Sequence, residues 1–454
     1  MPPLNLDDES ETQMAPSTTP APIHRPTSFG RRTLLGGGAA IGTGLAAGGL
    51  TGCGSPVSIS ADPAELVLWY WNRSVSPELL EQAATEIPGS PGKRLRGDLI
   101  GGTFDTKLRT SLAGGAYIPD VTGINSNCAL YFPNEDQFLD LNELGAQEAE
   151  SQYYPWKWSL GTSPSGRFMF WPMDTGPTGF YYRADLFEKA GLPTAPDDVT
   201  AATRTWDEWI EMGAKLSSND GPAIINTAAM IYNQFINASA ERYFDTNDKP
   251  LFSNDGSVVR QAWDTAVKAI DAGVTGNRQT STDQNSAWSS GLTAGHIEAV
   301  WWAEILTDTA ADTAGQWRLA TQPIQPGNSG GSFLALPSTC KDPEAAFNFI
   351  RWLTSPANQA VSFNTVQLFP SSPQSFDSGQ MKSEGDFFGD QDPLQFFRSA
   401  AEQVPTTYIS TYESQTTAFA TELANVESGG KPSEQAWSDA VNEVNRVLKK
   451  RGVI

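Results

Sequence analysis

Histidine is nearly absent from this 454-residue chain: only His24 and His296 occur. Metal centres and imidazole-assisted nucleophiles depend on that side chain, so its scarcity weighs against many enzyme classes. Cysteine is almost as scarce, with Cys53, Cys128 and Cys340 alone. Cys53 stands too isolated for a metal site. Cys128 and Cys340 either pair in an oxidising compartment or stay as buried thiols, and nothing in their spacing chooses. Positive charge is also short: 30 Lys and Arg face 52 Asp and Glu, a net charge of −22. Such a surface repels nucleic acid, which is excluded as a partner. No catalytic set, cofactor or metal is expected.

Long apolar runs are missing too. The softest stretch, residues 34–50, spans about 17 residues and is broken by glycines, which is marginal for crossing a bilayer. It follows Arg31 and Arg32 and ends in "LTGC". Arg-Arg, a short apolar run and a closing cysteine make an export signal, and "LTGC" resembles the lipobox of bacterial lipoproteins. That resemblance implies a signal peptide over 1–52, a diacylglyceryl group on Cys53 and a flexible tether over 53–60. Export through the twin-arginine or the general route stays open.

What is abundant is aromatic and turn-forming: 14 Trp, 41 Gly and 31 Pro. The length suits about two large domains. "ELVLWYW" (65–71) predicts a buried strand of a parallel sheet. "TFDTKLRTSLAGG" predicts a helix capped by Thr103 and stopped by Gly114 and Gly115. "AYIPDVTGIN" predicts another buried strand, and strand-helix-strand is an α/β pattern. "GRFMFWP" and "GFYYR" read as short strands. "TWDEWIEMGAKL" reads as a helix with a Thr205–Glu208 capping box and a core face of Trp206, Trp209, Ile210 and Leu216. "GGSFLALP" reads as a strand and "DPEAAFNFIRWLTSP" as a helix bounded by Pro343 and Pro356. The last helix, "SEQAWSDAVNEVNRVLKK", aligns Trp437, Ala440, Val441, Val444 and Leu448.

Taken in order, "FDTKLRTSLAGGAYIPDV", "FWPMDTGPTGFYYRADLFEKAGLP", "TWDEWIEMGAKL", "GLTAGHIEAVWWAEI", "GGSFLALPSTCKDPEAAFNFIRWLTSP" and the C-terminal helix resemble the extracellular solute-binding proteins of ABC importers, in their carbohydrate-binding branch. The likeness runs from about residue 61 to 454. His296 departs from it, standing where the family usually has Lys or Arg, and a solvated position is expected there. The resemblance implies a two-lobed, type II periplasmic-binding-protein-like α/β fold with ligand in the cleft. Crossings are expected near 172–175, 327–330 and 369–372. Lobe 1 would hold 61–172 and 330–371, and lobe 2 would hold 174–328 and 373–454.

A sugar needs flat aromatics for its C–H faces and fixed polar groups for its hydroxyls. At the carboxyl ends of strands stand Trp71, Asn72 and Arg73, then Asn125 and Asn127. Asp174 follows at the hinge. Trp301, Trp302 and Glu304 end the "IEAVWW" strand; one Trp should face the core and the other the cleft, with Trp302 favoured for the cleft. Phe333 lies on the strand after the second crossing. The implied partners are a carbohydrate ligand, an ABC permease and, through Cys53, the membrane, with the chain a monomer. An exported carbohydrate-active enzyme, or a receptor for a polyamine or glycerol phosphate, remains the alternative.

Overall fold

A computed structural model of the chain describes residues 60–383 and 385–454. Arg31, Arg32, Cys53 and all but the last residue of the expected tether lie outside the described residues. Those residues form eight strands: β1 (Glu65–Tyr70), β2 (Arg94–Leu99), β3 (Val121–Ile124), β4 (Trp171–Pro172), β5 (Thr178–Arg183), β6 (Gly295–Ala299), β7 (Trp317–Ala320) and β8 (Phe333–Ala335). One sheet has the order β2-β1-β3-β8-β4, the other β6-β5-β7.

The first sheet is mixed. β1 runs parallel to β2 and β3, while β8 runs antiparallel to β3 and β4. The interior of β1 is fully buried, as a run of "LVLW" requires when helices cover both faces. β1 stops at Tyr70, one residue short of the expectation. The backbone N–H of Trp71 donates to Ser74 Oγ at 3.1 Å, and that hydroxyl donates back to Trp71 O at 2.7 Å. Arg73 takes a left-handed φ of 62° inside this turn. β2, "RLRGDL", escaped the hydrophobic pattern. It is an edge strand that buries only Leu95, and its arginines pair with Asp62, Glu65 and Asp98. "GRFMFWP" yields only a two-residue strand, because Phe168, Met169 and Phe170 serve as packing rather than ladder.

The second sheet is wholly antiparallel, with Phe180 opposite both Ile297 and Ala320. The helix Trp206–Leu216 covers one of its faces. Its capping box is present: the Glu208 N–H donates to Thr205 Oγ1 at 3.1 Å, and the Thr205 N–H donates to Glu208 Oε2 at 3.0 Å. Trp206, Trp209, Ile210 and Leu216 are all buried there with Phe180 and Ile297. The helix Phe104–Gly114 also forms, but the Thr103 side chain accepts no capping hydrogen bond; Gly115, at φ 62°, closes its far end. The helix Pro343–Leu353 carries Pro343 in its first turn and an Asp342 cap. The last helix, Ser433–Lys450, buries Ala440, Val444 and Leu448 against Trp263 and Phe419.

The chain passes between the sheets in the intervals β4–β5 and β7–β8. Asp174 bridges to Pro370 and Pro177 to Asn328, so the connecting segments are themselves paired. Segment Pro373–Ser378 packs on the helix Pro356–Val366, and the helix Pro393–Gln403 packs on β5. Cys128 and Cys340 are separate buried thiols, each pushed up to about 12 by burial.

His296 is not solvated. On β6 it is 4% exposed, its ring centroid 4.8 Å from that of Trp288 and 4.4 Å from that of Trp302. Burial pushes the imidazole down to about 3 from an ordinary 6.5. The unfolded chain therefore takes up a proton that the folded one refuses. Stability is complete above the unfolded value and falls as pH drops below it, by roughly 1.4 kcal/mol per pH unit. Between pH 7 and pH 5 this one residue is expected to cost roughly 2 kcal/mol. Urea unfolding of the protein and of His296→Met at both pH values checks it: the variant should lose less by about that amount, and equal losses refute the assignment.

Candidate functional site

The turn after β1 and the loop after β3 leave the first sheet on the side where the helix Phe104–Gly114 begins. Trp71 packs edge-on to Phe104, centroids 5.0 Å apart. Its ring also lies so close to Gly123 that a Cβ there would come within 2.6 Å. Asn125 Nδ2 and Asn127 Nδ2 each donate, at 3.1 Å, to a different oxygen of Asp105. Asp105, in the first helical turn, thus orients both amides. Asn127 keeps a buried carbonyl oxygen with no hydrogen-bond partner among the described residues.

Asn127 borders a cavity of about 320 Å³. One wall comprises Ser126, Asn127, Ala129, Leu130, Lys157, Leu160 and Phe333, all from segments around the five-stranded sheet. The facing wall comprises Asn237, Arg242, Ile409, Ser410, Glu413 and Ser414. Residues 328–331, from the β7–β8 connection, close it from below. Seven of the seventeen lining residues carry an amide or a hydroxyl, beside five apolar and three charged side chains and two glycines.

One ion pair, and one ammonium with no hydrogen-bond partner among the described residues, stand at the cavity. Arg242 grips Glu413 through Nε at 3.1 Å and Nη2 at 2.9 Å, with side-chain exposures of 13% and 11%. Burial raises the Glu413 carboxyl, and the Arg242 guanidinium opposes it. Lys157 is completely buried, its Nζ 3.4 Å from the centroid of the Phe333 ring. Burial lowers this ammonium to about 8, against the pull of Asp174. Asp174 in turn is raised by burial, with Lys157 opposing.

The sequence-derived residues divide sharply. Asn127 and Phe333 line the cavity. Phe333 is only 1% exposed, and its ring face is taken by the Lys157 ammonium, so it offers no platform to a sugar. Asp174 is tied into the crossing: Oδ1 accepts from both the backbone N–H, at 2.7 Å, and the hydroxyl of Ser332. Trp302 is the core residue of its pair, 3% exposed and ringed by Tyr181, Trp288, His296 and Trp317. The expectation that it faces the cleft is overturned. The reason is local: β6 ends at Ala299 and a helix, Trp302–Thr309, begins, so the two tryptophans do not alternate as on a strand. Trp301 is the exposed member, at 39%, and its Nε1 donates to Ser329 O at 3.0 Å beside the cavity floor. Glu304 sits in the first turn of that helix, not at a strand end, and forms an ion pair with Arg73. Asn72 is exposed on the β1 turn, and Trp71 and Asn125 stand behind the cavity wall through Phe104 and Asp105.

Lys157, Arg242, Glu413, Asn237 and Asn328 were missed. Arg242 and Glu413 are 171 residues apart, in segments with no periodic signal. Asn328 was within reach, because "PGNSGG" already marks a crossing. Its Oδ1 accepts from the Gly176 N–H at 2.9 Å and its Nδ2 donates to Gly330 O at 3.0 Å.

The model of the bacterial extracellular solute-binding protein family matches residues 99–360. A lactose-binding protein of Rhizobium radiobacter is 24% identical over 321 residues, taking in 66% of this chain and 73% of its own. A crystal structure of an extracellular solute-binding protein of family 1 superposes with a TM-score of 0.79 at 24% identity, over 85% of this chain and 99% of that one. The galacto-N-biose/lacto-N-biose I-binding protein of a Bifidobacterium longum ABC transporter, in complex with lacto-N-biose, follows at 0.69 and 19%, over 87% and 99%. These structures share the two-lobed fold. With its family match spanning more than half of its length, the chain belongs to the bacterial extracellular solute-binding proteins.

Proposed function

We propose that this protein is an exported, lipid-anchored receptor that captures a sugar or oligosaccharide by hinge closure and hands it to an ABC permease. The observation that carries the reading is the cavity of about 320 Å³ lined by Ser126, Asn127, Asn237, Asn328, Ser410 and Ser414. Sugar hydroxyls both donate and accept, and amide and hydroxyl side chains do the same. The names of the relatives agree in class: one binds lactose, and another holds lacto-N-biose. Family and fold are those of binding proteins, and capture needs no covalent step.

The proposed lobes are 61–172 with 330–371, and 174–328 with the C-terminal helices. Segment Pro373–Ser378 goes with the first lobe, on the helix it packs against. The third crossing then falls after it, later than the sequence suggested. With these lobes the Arg73–Glu304 pair reaches from one to the other. Ligand that touches both walls would favour the closed population. The anchor would be a diacylglyceryl group on Cys53, since one acyl chain alone holds a membrane only marginally.

Thermal-shift and calorimetric titration with lactose, lacto-N-biose and a broad panel of sugars tests the capture. A rise in melting temperature and an affinity near micromolar, about −8 kcal/mol, are expected; no response at millimolar sugar refutes it. Arg73→Ala tests the closure. An ion pair this exposed is worth at most about 1 kcal/mol, so affinity should drop up to about fivefold, with less ligand-induced compaction in solution scattering. Unchanged compaction would show that the pair is no latch. For the anchor, bacteria fed radiolabelled palmitate should label the protein but not Cys53→Ser, and equal labelling would remove Cys53 from that role.

A further inference from the structure

The Lys157 side chain is completely buried, and its ammonium makes no hydrogen bond among the described residues. An ammonium has three N–H donors and no acceptor. Leaving them unmet in a protein interior is costly. The surroundings nevertheless make room for it. The short helix Pro155–Ser159 carries Lys157 to the cavity wall, beside Gly331 and Phe333. A Cβ on Gly331 would come within 3.1 Å of the Lys157 Nζ, and Gly331 holds a φ of 80° that disfavours any other residue. The Phe333 ring lies beneath Nζ at 3.4 Å, a cation–π contact that offsets part of the desolvation without using the N–H donors. Asp174 pulls on the ammonium electrostatically, but its Oδ1 is taken by Ser332. Lys157 is part of the wall of an open volume of about 320 Å³, the lower end of the range for small-molecule sites.

The charge inventory around that volume is balanced. Lys157 is set against Asp174, and Arg242 is paired with Glu413. A ligand bringing net charge would unbalance a desolvated site. We propose that Lys157 is the specificity-determining donor of this cavity, giving its N–H to a hydroxyl or ring oxygen of an uncharged saccharide, with Phe333 the platform of the ammonium instead of the sugar. This rests on the reading of the cavity as a saccharide site.

A pH dependence follows. The titratable groups facing Lys157 are Asp174 and Cys128, with Arg242 and Glu413 on the opposite wall. The Cys128 thiol, pushed up to about 12, stays protonated through the relevant range. A ligand oxygen accepting from the ammonium favours the protonated lysine. Affinity is then full below about 8, where the free side chain is charged, and declines as pH rises past it.

Calorimetric titration of the purified protein with lactose and lacto-N-biose as neutral probes, and digalacturonic acid as the acidic one, tests this. The wild type should bind a neutral probe in preference to the acid, and lose about tenfold or more in affinity between pH 7.5 and 9.5. Lys157→Met should bind at least tenfold more weakly and without that pH slope. It should also melt no lower than the wild type, because a desolvated cation is gone. If Lys157→Met does not fold, the wild-type pH series and Lys157→Gln decide. Equal affinity of wild type and variant, a flat wild-type pH profile, or preference for the acid overturns the assignment while leaving saccharide capture standing. Failure of every probe to bind overturns both.

Discussion

The structure turns on the bond between Asp174 and Ser332. Asp174 follows the last strand of one crossing and Ser332 precedes the first strand of the next, so one carboxylate oxygen ties two connections together. Thr175 extends the tie to residues 369–370, its N–H donating to Phe369 O at 2.8 Å and its hydroxyl to Pro370 O at 2.9 Å. Gly176 extends it to Asn328, and a Cβ at Gly176 would come within 1.9 Å of Ser329 O, so no larger residue fits. Two sheets that share no strand are held at a defined spacing by these few residues. The cavity is the space that this spacing leaves open.

That space is lined by amides and hydroxyls together with apolar and charged side chains. Its amides and hydroxyls cost little to desolvate when a ligand supplies partners, whereas its charges would cost a great deal alone. Arg242 and Glu413 satisfy each other through a bidentate contact. Lys157 has no such contact among the described residues: Asp174 acts on it only electrostatically, with its Oδ1 held by Ser332. The carboxylate that braces the crossings also acts electrostatically on the cavity ammonium. Aromatic rings, which the composition makes prominent, mostly fill cores. Trp209 packs under β5, Trp302 fills a cage with His296, and Phe333 supports Lys157. Trp301 is the exposed member of its pair, with its Nε1 bonded to Ser329 O.

Much of the architecture was readable in order along the chain. A continuous apolar run became β1, "AYIPDVTGIN" held the buried strand β3, the Thr205–Glu208 spacing became a capping box, and Pro343 opened a helix. These features are local: a run of buried side chains, a cap or a missing N–H acts within a few residues. Where the reading failed, distant contacts had overridden local pattern. β2 is charged because its arginines find acids across the sheet edge. Trp302 turns inward because a helix begins there and a cage of four rings receives it. His296 is dry for the same reason.

The sequence by itself determined the class of fold, the family and the elements around which each lobe is built, because hydrophobic periodicity and turn residues act over short range. It also placed Asn127, at the carboxyl end of a strand, beside what became the cavity. Only the tertiary structure decided which groups meet at that cavity. Arg242 and Glu413, or Lys157 and Phe333, come from segments far apart in the chain. Their charges, orientations and desolvation exist only once the crossings bring the two walls face to face.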